Sequence, residues 1–347
     1  MTDGDKAALS DFEVSNAKPH SFALAEMITC DECLRANPPT RSKCLYCGAN
    51  LPVTGNDPEG QSSHEAIGRI DQPANVSDAY YVVLTSAQTN VVAESSWAEI
   101  ASLLHLLTTE LEIAVGSGCA VPLARVASSE QATMLADKLR ALGIGAGTLR
   151  EDALGLDLPG RKIRALEFSD HGLAATVING GEISIPWDDL ILIVNGRLLV
   201  NRVEVEERRR RGRSQPSGTR ELFSDEPVVD LYPRADEVGW RISSSSFDFS
   251  CLGPEKAMTA FENFTTLIKL LRLRAPKVEV DDSYRSLRAL LANVWPLEPR
   301  TRKGDWRRRG AGKVDVATVT TTDNEAQFNR YSRLRHRLKL RELEGGQ

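Results

Sequence analysis

Two pairs of closely spaced cysteines, Cys30/Cys33 and Cys44/Cys47, constrain this chain more than any other feature, and ten residues separate Cys33 from Cys44. Two residues between paired thiols form a tight turn, or knuckle, whose Cβ vectors converge on one point. Two knuckles supply four thiolates in the tetrahedral arrangement that Zn²⁺ accepts in closed structural sites. Because so short a segment cannot bury a useful core, metal binding would supply its folding energy. The spacing predicts one structural Zn²⁺ ion held by these four cysteines.

Two other interpretations of the cysteines compete with zinc, namely two disulfides and a rubredoxin-like iron site. Disulfide frameworks belong to small secreted chains, which favours zinc here. Lys43, just before the second pair, can offset part of the thiolate charge. Gly48 follows the second pair, where the backbone often needs a positive φ.

The segment from 25 to 52 resembles the short zinc-ribbon family. The likeness rests on the two Cys-x-x-Cys pairs, an Asn-Pro step between them, and Gly-Ala-x-Leu after the second pair. The residues that carry the last two features are Asn37, Pro38, Gly48, Ala49 and Leu51. The resemblance implies a structural, non-catalytic site.

Composition and length indicate a protein of two or three domains. The chain has 347 residues, of which 41% are hydrophobic, and no apolar run approaches the ~18 residues of a membrane helix. The composition of its N-terminus is acidic and polar, which is not typical of a signal peptide. With four of the six cysteines clustered as ligands, we expect a reducing, cytoplasmic location. The isolated Cys119 and Cys251 are expected to be inert thiols.

Charge is distributed unevenly along the chain, whose net charge is −5. From 300 to 347 there are 13 Lys/Arg and 6 Asp/Glu residues. The C-terminal region, 277–347, is therefore expected to be helical and basic. Its last helix would pack an apolar stripe and leave its arginines in water. The alternative is a nucleic-acid surface formed by Arg307, Arg308, Arg309, Arg333, Arg335 and Arg337.

Residues 1–24 are expected to be a flexible N-terminus and 53–77 a linker. From 78 to 150 the pattern predicts the order β-α-α-β-α-β. Its third helix is expected to be capped by Ser128 or Ser129 and to have an apolar stripe formed by Ala132, Leu135, Ala136 and Leu139. This order resembles the small α/β fold of the ClpS adaptor and of the ribosomal stalk protein's C-terminal domain. The residues with which ClpS holds an N-terminal amine have no clear match in SAQTNVV (86–92), so adaptor activity is not implied.

Residues 158–276 are predicted to form a β-rich domain. Seven strands followed by a long helix from Glu255 resemble the pleckstrin-homology-like (PH-like) layout, which hosts binding functions of many kinds. Asn179-Gly180-Gly181 and Asn195-Gly196 are predicted to be hairpin turns, and 206–226, with its arginine run, a disordered loop. The helix should bury one face, formed by Ala257, Phe261, Phe264, Ile268 and Leu271.

The chain shows no catalytic constellation. Its five histidines are scattered, with His105 expected to be packed in an apolar helix, and GIGAG (143–147) follows a helix rather than joining a strand to a helix. The sequence thus indicates an α+β multidomain, zinc-ribbon interaction or scaffold protein that is not an enzyme. The alternative is a nucleic-acid-associated regulatory protein that uses the ribbon and the basic C-terminal region.

Overall fold

The computed structural model describes residues 22, 26–30, 33–51, 79–85, 96–210, 213–304, 306–309 and 312–345. The predicted flexible terminus, 1–24, lies outside the described residues apart from Phe22, and the predicted linker, 53–77, lies wholly outside them. The described chain is a mixed α+β structure with an N-terminal cysteine cluster, a small sheet with helices, and a large curled sheet.

The first two strands, β1 (Ile28–Thr29) and β2 (Ala36–Asn37), pair with each other in the cysteine segment. The small sheet has three antiparallel strands, with β3 (Tyr80–Leu84) between β4 (Pro122–Val126) and β5 (Ala146–Arg150). Its elements follow the predicted order β-α-α-β-α-β: β3 (Tyr80–Leu84), α1 (Ser96–Leu104), α2 (Thr108–Gly116), β4 (Pro122–Val126), α3 (Ser129–Ala141) and β5 (Ala146–Arg150). At the start of α3 the Ser128 hydroxyl accepts a hydrogen bond from the Gln131 N–H at 3.2 Å, which satisfies one of the free N–H groups of the first turn. The predicted apolar stripe of α3 is buried, at Ala132, Leu135, Ala136 and Leu139.

The large sheet has ten strands. The first six are β6 (Arg161–Phe168), β7 (Gly172–Val177), β8 (Glu182–Pro186), β9 (Leu190–Arg210), β10 (Arg213–Pro233) and β11 (Trp240–Ser243), of which β9 and β10 form a long hairpin. The last four are β12 (Glu279–Asp281), β13 (Arg300–Lys303), β14 (Trp306–Arg309) and β15 (Gly312–Asp323). Eight strands follow the path β13-β15-β9-β10-β11-β6-β7-β8, while β12 pairs with β9 and β14 with β15. Three helices complete the fold: α4 (Ala260–Arg274), α5 (Tyr284–Val294) and α6 (Glu325–Gly345).

The prediction of a disordered loop at 206–226 is wrong. The described residues of this range, 206–210 and 213–226, lie in β9 and β10, two strands of 21 residues that pair antiparallel out to Arg210 and Arg213. β15 covers the other edge of β9 from Val200 to Glu207, so a distant segment supplies ladder partners that local sequence does not reveal. We call the part of the β9–β10 hairpin beyond β11, together with β13, β14 and β15, the arm: residues 199–210, 213–227, 300–303, 306–309 and 312–323.

The prediction of a hairpin turn at Asn195-Gly196 is also wrong, because both residues lie inside β9. Gly196 is needed for close packing rather than for a turn. A Cβ atom built on it would meet the ring of Phe328 in α6 at 2.3 Å, so only glycine lets helix and strand approach this closely. The turn predicted at Gly180 and Gly181 does form, and both residues have positive φ angles of 92° and 97°.

The large sheet separates two cores. One face packs on α4, and the other shares a core with the small sheet, α5 and α6. α4 begins at Ala260 rather than near Glu255, and Thr259 caps it by accepting from the Glu262 N–H. Phe264 and Leu271 are buried as predicted, but Phe261 is 62% exposed, so the buried face is rotated from the predicted one toward Leu267.

The C-terminal region is not a basic tail but part of the body. Phe328, Tyr331 and Leu334 of α6 are fully buried. The expectation that α6 leaves its arginines in water is wrong: Arg335 pairs with Asp281 and Glu279, both at 2.6 Å, and Arg333 donates to two backbone carbonyl groups. Burial of the apolar stripe brings these arginines against acidic and carbonyl oxygens of the sheet and of nearby loops.

No helix in the described part of the chain combines the length and the apolar character needed to cross a membrane.

The two phenylalanines of α4 give a matched test of this packing. We expect Phe264→Ala to lower the free energy of unfolding by about 3–5 kcal/mol, because a 3% exposed ring that meets Phe249 edge-on at 5.5 Å leaves a cavity. Phe261→Ala, one turn away, should cost less than about 1 kcal/mol. Urea denaturation of the full chain measures both, and equal costs would contradict the placement of α4.

Candidate metal centre

The two cysteine knuckles have the same backbone design. In the first, the Leu34 N–H donates to the carbonyl of Cys30 at 2.8 Å; in the second, the Gly48 N–H donates to that of Cys44 at 3.0 Å. The residue after each pair has a positive φ, 57° at Leu34 and 75° at Gly48. The expectation for Gly48 is thus confirmed. Leu34 adopts the same conformation without being glycine, a strain of about 1–2 kcal/mol that the knuckle must offset.

The four cysteine Sγ atoms lie within 4.8 Å of one another, as the spacing predicts. The Cys30–Cys47 and Cys33–Cys44 sulfur pairs are 3.6 and 3.5 Å apart, and none of the four cysteines forms a disulfide. These separations are close to the edge of about 3.8 Å that follows from tetrahedral Zn–S bonds of about 2.3 Å. A strand pair, β1 (Ile28–Thr29) with β2 (Ala36–Asn37), closes the first knuckle. The donor set and its geometry therefore fit one metal ion.

Asn37 fixes the second knuckle, and its side chain is fully buried. Its Nδ2 donates to Cys44 Sγ at 3.4 Å, and its Oδ1 accepts from the Leu45 N–H at 2.9 Å. Burial opposes the thiolate form of Cys44, but the backbone N–H groups of Cys47 and Tyr46 and the Asn37 amide lower its pKa to about 6. Burial raises the pKa of Cys33. The Asn37 amide therefore helps to favour the thiolate form of Cys44, which is the form that binds a cation.

The cluster contacts the arm at one point of the β9–β10 ladder, where Asn201 and Phe223 stand opposite each other. Asn201 Nδ2 donates to the carbonyl of Leu34 at 3.0 Å. The Arg35 guanidinium carbon lies 4.3 Å from the centre of the Phe223 ring and 4.7 Å from that of Tyr46. The independent ribbon implied by a long linker is therefore joined to the body by a hydrogen bond and a guanidinium–ring stack.

The other candidate residues do not assemble into a site. His105 is exposed with a φ of 55° at the end of α1, not packed within a helix. Cys119 Sγ lies 3.0 Å from the Ser283 hydroxyl, and burial raises the pKa of Cys251 to about 11. Burial lowers the pKa of His336, which stacks on Tyr232, to about 4, so it is neutral at pH 7.

The arginines proposed for a nucleic-acid surface separate into two sets. Arg333 and Arg335 are committed to contacts within the body, and Arg337 is partly buried. Arg307, Arg308 and Arg309 lie in β14, at the far end of the arm.

Comparison with protein-family models, with curated proteins and with solved structures finds no match to this chain.

The cluster should hold close to one equivalent of zinc per chain, because its four thiols have tetrahedral spacing. Elemental analysis of protein purified without added metal tests this, together with a thiol titration. Less than a few tenths of an equivalent of zinc with all thiols intact, or an equivalent amount of iron, would contradict the assignment.

Replacing Asn37 should weaken metal binding without removing a ligand. We expect Asn37→Ala to lower zinc affinity by about 10- to 100-fold, the usual effect of losing a group that orients a ligand. Asn50→Ala, at an exposed position of the same segment, is the matched control. Competition with a chromophoric chelator measures both affinities, and equal values would show that Asn37 has no such role.

Proposed function

We propose that this chain is a non-catalytic interaction protein in which one structural zinc ion organises the arm. The observation that carries the proposal is the contact between the cysteine cluster and the β9–β10 ladder. A zinc-bound knuckle is rigid, and here it touches the hairpin where that hairpin leaves the body. Zinc would therefore fix not only its own short segment but also the position of the arm.

The chemistry of the cluster supports zinc rather than disulfides or iron. The Cys30–Cys47 and Cys33–Cys44 sulfurs are 3.6 and 3.5 Å apart without a disulfide, and the Asn37 amide donates to Cys44 Sγ. Ligands of this kind must stay reduced, so the proposal includes a reducing compartment such as the cytoplasm. Zinc has no redox chemistry and in a closed four-sulfur site no open position, so its role would be structural.

Within the described residues, no His, Cys, Asp or Glu group of three or more other than the four cysteines could hold a metal ion. The buried carboxylates near α6 are neutralised by arginines, Glu151 by Arg125 and Arg330, and Asp230 by Arg241. Both arrangements tie the body together, and they engage these two carboxylates in ion pairs. This favours a binding role over catalysis.

The two fold likenesses remain part of the proposal. The order β3-α1-α2-β4-α3-β5 supports the likeness of 78–150 to the ClpS and stalk-protein fold. Strands β6 to β11 followed by α4 support the PH-like likeness of 160–275. Both would offer binding faces. Pairing of β15 with β9 adds a feature outside the PH-like layout, so the boundaries at 158 and 276 stay predictions.

The nucleic-acid alternative is favoured by one observation, the placement of Arg307, Arg308 and Arg309 at the end of the arm. Affinity capture from lysate with and without nuclease is the simplest experiment that separates the interaction protein from the nucleic-acid alternative. Partners that survive nuclease and are lost with Cys44→Ser support the interaction protein; partners that disappear with nuclease support the alternative. Identical capture by the wild-type chain and Cys44→Ser would contradict a role for zinc.

Loss of the ring stack should loosen the arm while the zinc site stays intact. We expect Arg35→Ala to speed amide exchange in the hairpin near 199–205 and 219–225 by about two- to fivefold, because the guanidinium–ring contact with Phe223, worth about 0.5–1 kcal/mol, disappears. Arg41→Ala, exposed in the same segment, is the control. Hydrogen exchange with mass spectrometry measures the effect, with zinc content as a check. Unchanged amide exchange after both Arg35→Ala and zinc chelation would contradict the proposed coupling between the cluster and the arm.

A further inference from the structure

Strand β10 is paired on one side only over the outer part of the arm. Its inner side pairs with β9 along the whole strand. On its other side β11 pairs from Val228 to Leu231, and the outermost contact is a hydrogen bond from the Ser244 N–H to the carbonyl of Pro227 at 3.2 Å. Beyond that carbonyl, none of the described strands pairs with this side of β10. We call the stretch the β10 edge: residues 218–226.

The backbone of the β10 edge is arranged to accept another strand. In an antiparallel ladder, the N–H and C=O groups of every second residue point to the same side of the strand. Because the Pro227 carbonyl faces the β11 side, the backbone groups of Thr219, Glu221, Phe223 and Asp225 face that side as well. They have no backbone partner there within the described residues. A row of unpaired groups of this kind is a template for strand addition.

The two outermost edges of the described large sheet lack this character. β8 has five residues and ends at Pro186, and β13 and β14 have four residues each, β13 with the basic sequence RTRK. Short strands, proline and charge are the devices by which proteins keep sheet edges from pairing. The β10 edge contains no proline, and the nearest ones, Pro216 and Pro227, lie just outside it.

A cleft of about 850 Å³ lies beside the β10 edge. Ser224 and Glu226 of the edge line it, together with Lys162 of β6 and Ile178, which follows β7. Ile178 is a large apolar residue with an exposed side chain, so the cleft contains apolar surface that a bound segment would cover. An added strand would therefore have room here for the side chains of one of its faces.

The other face of the β10 edge lies against the cysteine cluster. The guanidinium carbon of Arg35 is 4.3 Å from the centre of the Phe223 ring, in the middle of the edge. Glu221 accepts a hydrogen bond from the Asn201 amide at 2.8 Å, and the same amide donates to the carbonyl of Leu34. The cluster thus supports the centre of the edge from its face, and the outward backbone groups stay unpaired.

Charge complementarity indicates what kind of strand fits. Three charged side chains of the β10 edge have no ion-pair partner among the described residues, namely Arg220, Glu221 and Glu226, whereas Asp225 pairs with Arg197 at 2.7 Å. Opposite charges facing each other across two strands stabilise a sheet, and like charges destabilise it. With two unpaired carboxylates and one guanidinium, the edge favours a strand with more basic than acidic residues.

The order of side chains also fixes a pattern, because directly opposite residues of paired strands lie on the same face and interact. A complementary antiparallel strand has basic residues opposite Glu226 and Glu221, and an acidic residue opposite Arg220. Its central residues, opposite Phe223 and Leu222, are apolar.

We propose that the β10 edge is where this interaction protein binds its partner, by pairing antiparallel with an extended basic segment of the partner protein. The inference rests on the proposed function and names the surface and the chemistry of the partner. Main-chain hydrogen bonds would supply affinity, and the cleft on one face and the cysteine cluster on the other would select the side chains. Zinc would act by holding the cluster against Phe223 and Asn201.

The test is fluorescence anisotropy with full-length, zinc-loaded protein and a labelled octapeptide, Lys-Thr-Thr-Phe-Val-Lys-Glu-Thr, which is complementary to residues 226 down to 219. Its Phe and second Lys would direct their N–H groups at β10. Methylating these two nitrogens should weaken binding at least about tenfold, because edge groups lose their partners. The matched control is the same peptide methylated at the Thr before Phe and at Val. These nitrogens face away from β10, so its affinity should change less than about threefold.

A pair of substitutions at one position tests the edge from the side of the protein. Glu221→Pro removes an outward N–H group from the middle of the edge and should weaken binding of the octapeptide at least about fivefold. Glu221→Gln keeps that N–H group and can still accept from Asn201, so its loss should stay below about threefold. Zinc content and thermal unfolding confirm that both variants are folded.

Several results would overturn the proposal. These are no binding of the octapeptide, equal loss for the two methylated peptides, equal loss for the two Glu221 variants, tighter binding when both Lys residues of the peptide are replaced by Glu, or self-association of the chain that Glu221→Pro abolishes. The last result would assign the edge to a second copy of the chain.

The failure of this proposal and that of the proposed function can be told apart. If the octapeptide binds equally well after zinc is chelated, the organising role of zinc fails and the β10 edge stands as a binding site. If Glu221→Pro does not change binding of the octapeptide while Cys44→Ser still loses nuclease-resistant partners, the edge proposal fails and the proposed function stands.

Discussion

Strand β9 is the element on which the other parts depend, because it is hydrogen-bonded along both edges. β10 covers one edge over its whole length, and β12 and then β15 cover the other. Its inner residues alternate between the two cores: Leu192 and Val194 enter the core shared with α5 and α6, and Ile193 enters the core under α4. Its outer half contacts the cysteine cluster through Asn201 and then extends along the arm. A slip of one residue in its register would exchange the two cores and displace the contact with the cysteine cluster.

Features that depend on neighbouring residues could be predicted from the sequence. The knuckles, the Gly48 conformation, the cap at Ser128 and the turn at Gly180 each require only a few consecutive residues of suitable chemistry. The order of elements in the small sheet follows from the same kind of signal. Each of these features would form in much the same way whatever the rest of the chain did.

Features that depend on distant residues could not be predicted. Gly196 next to asparagine has the pattern of a turn, and only the ring of Phe328 explains why glycine stands in a strand. The arginine run at the end of β9 has the composition of a loop, and it extends as a strand because β10 pairs with it out to Arg210. In α4, Phe261 and Phe264 are equally apolar, so periodicity alone could not decide which of them faces the sheet.

The candidate site likewise contains some residues that a local motif reveals and others that only the fold brings together. Its four ligands and Asn37 lie in one recognisable motif, whereas Asn201 is 167 residues from the carbonyl group that it contacts. The arginines of α6 and those of β14 have equal charge in the sequence. They differ in environment because Asp281 and Glu279 lie against Arg335 of α6, whereas the arginines of β14 lie at the far end of the arm.

The pairing of β9 with β15 also has a consequence during synthesis of the chain. About 100 residues separate the end of β9 from the start of β15, which takes about 5–20 s at ordinary elongation rates. For that time the outer half of β9 emerges from the ribosome with β10 on one side and an open edge on the other. Open edges are where nascent chains pair with the wrong strand. The outer half of β9 is therefore open to mispairing until its own partner strand, β15, has been synthesised.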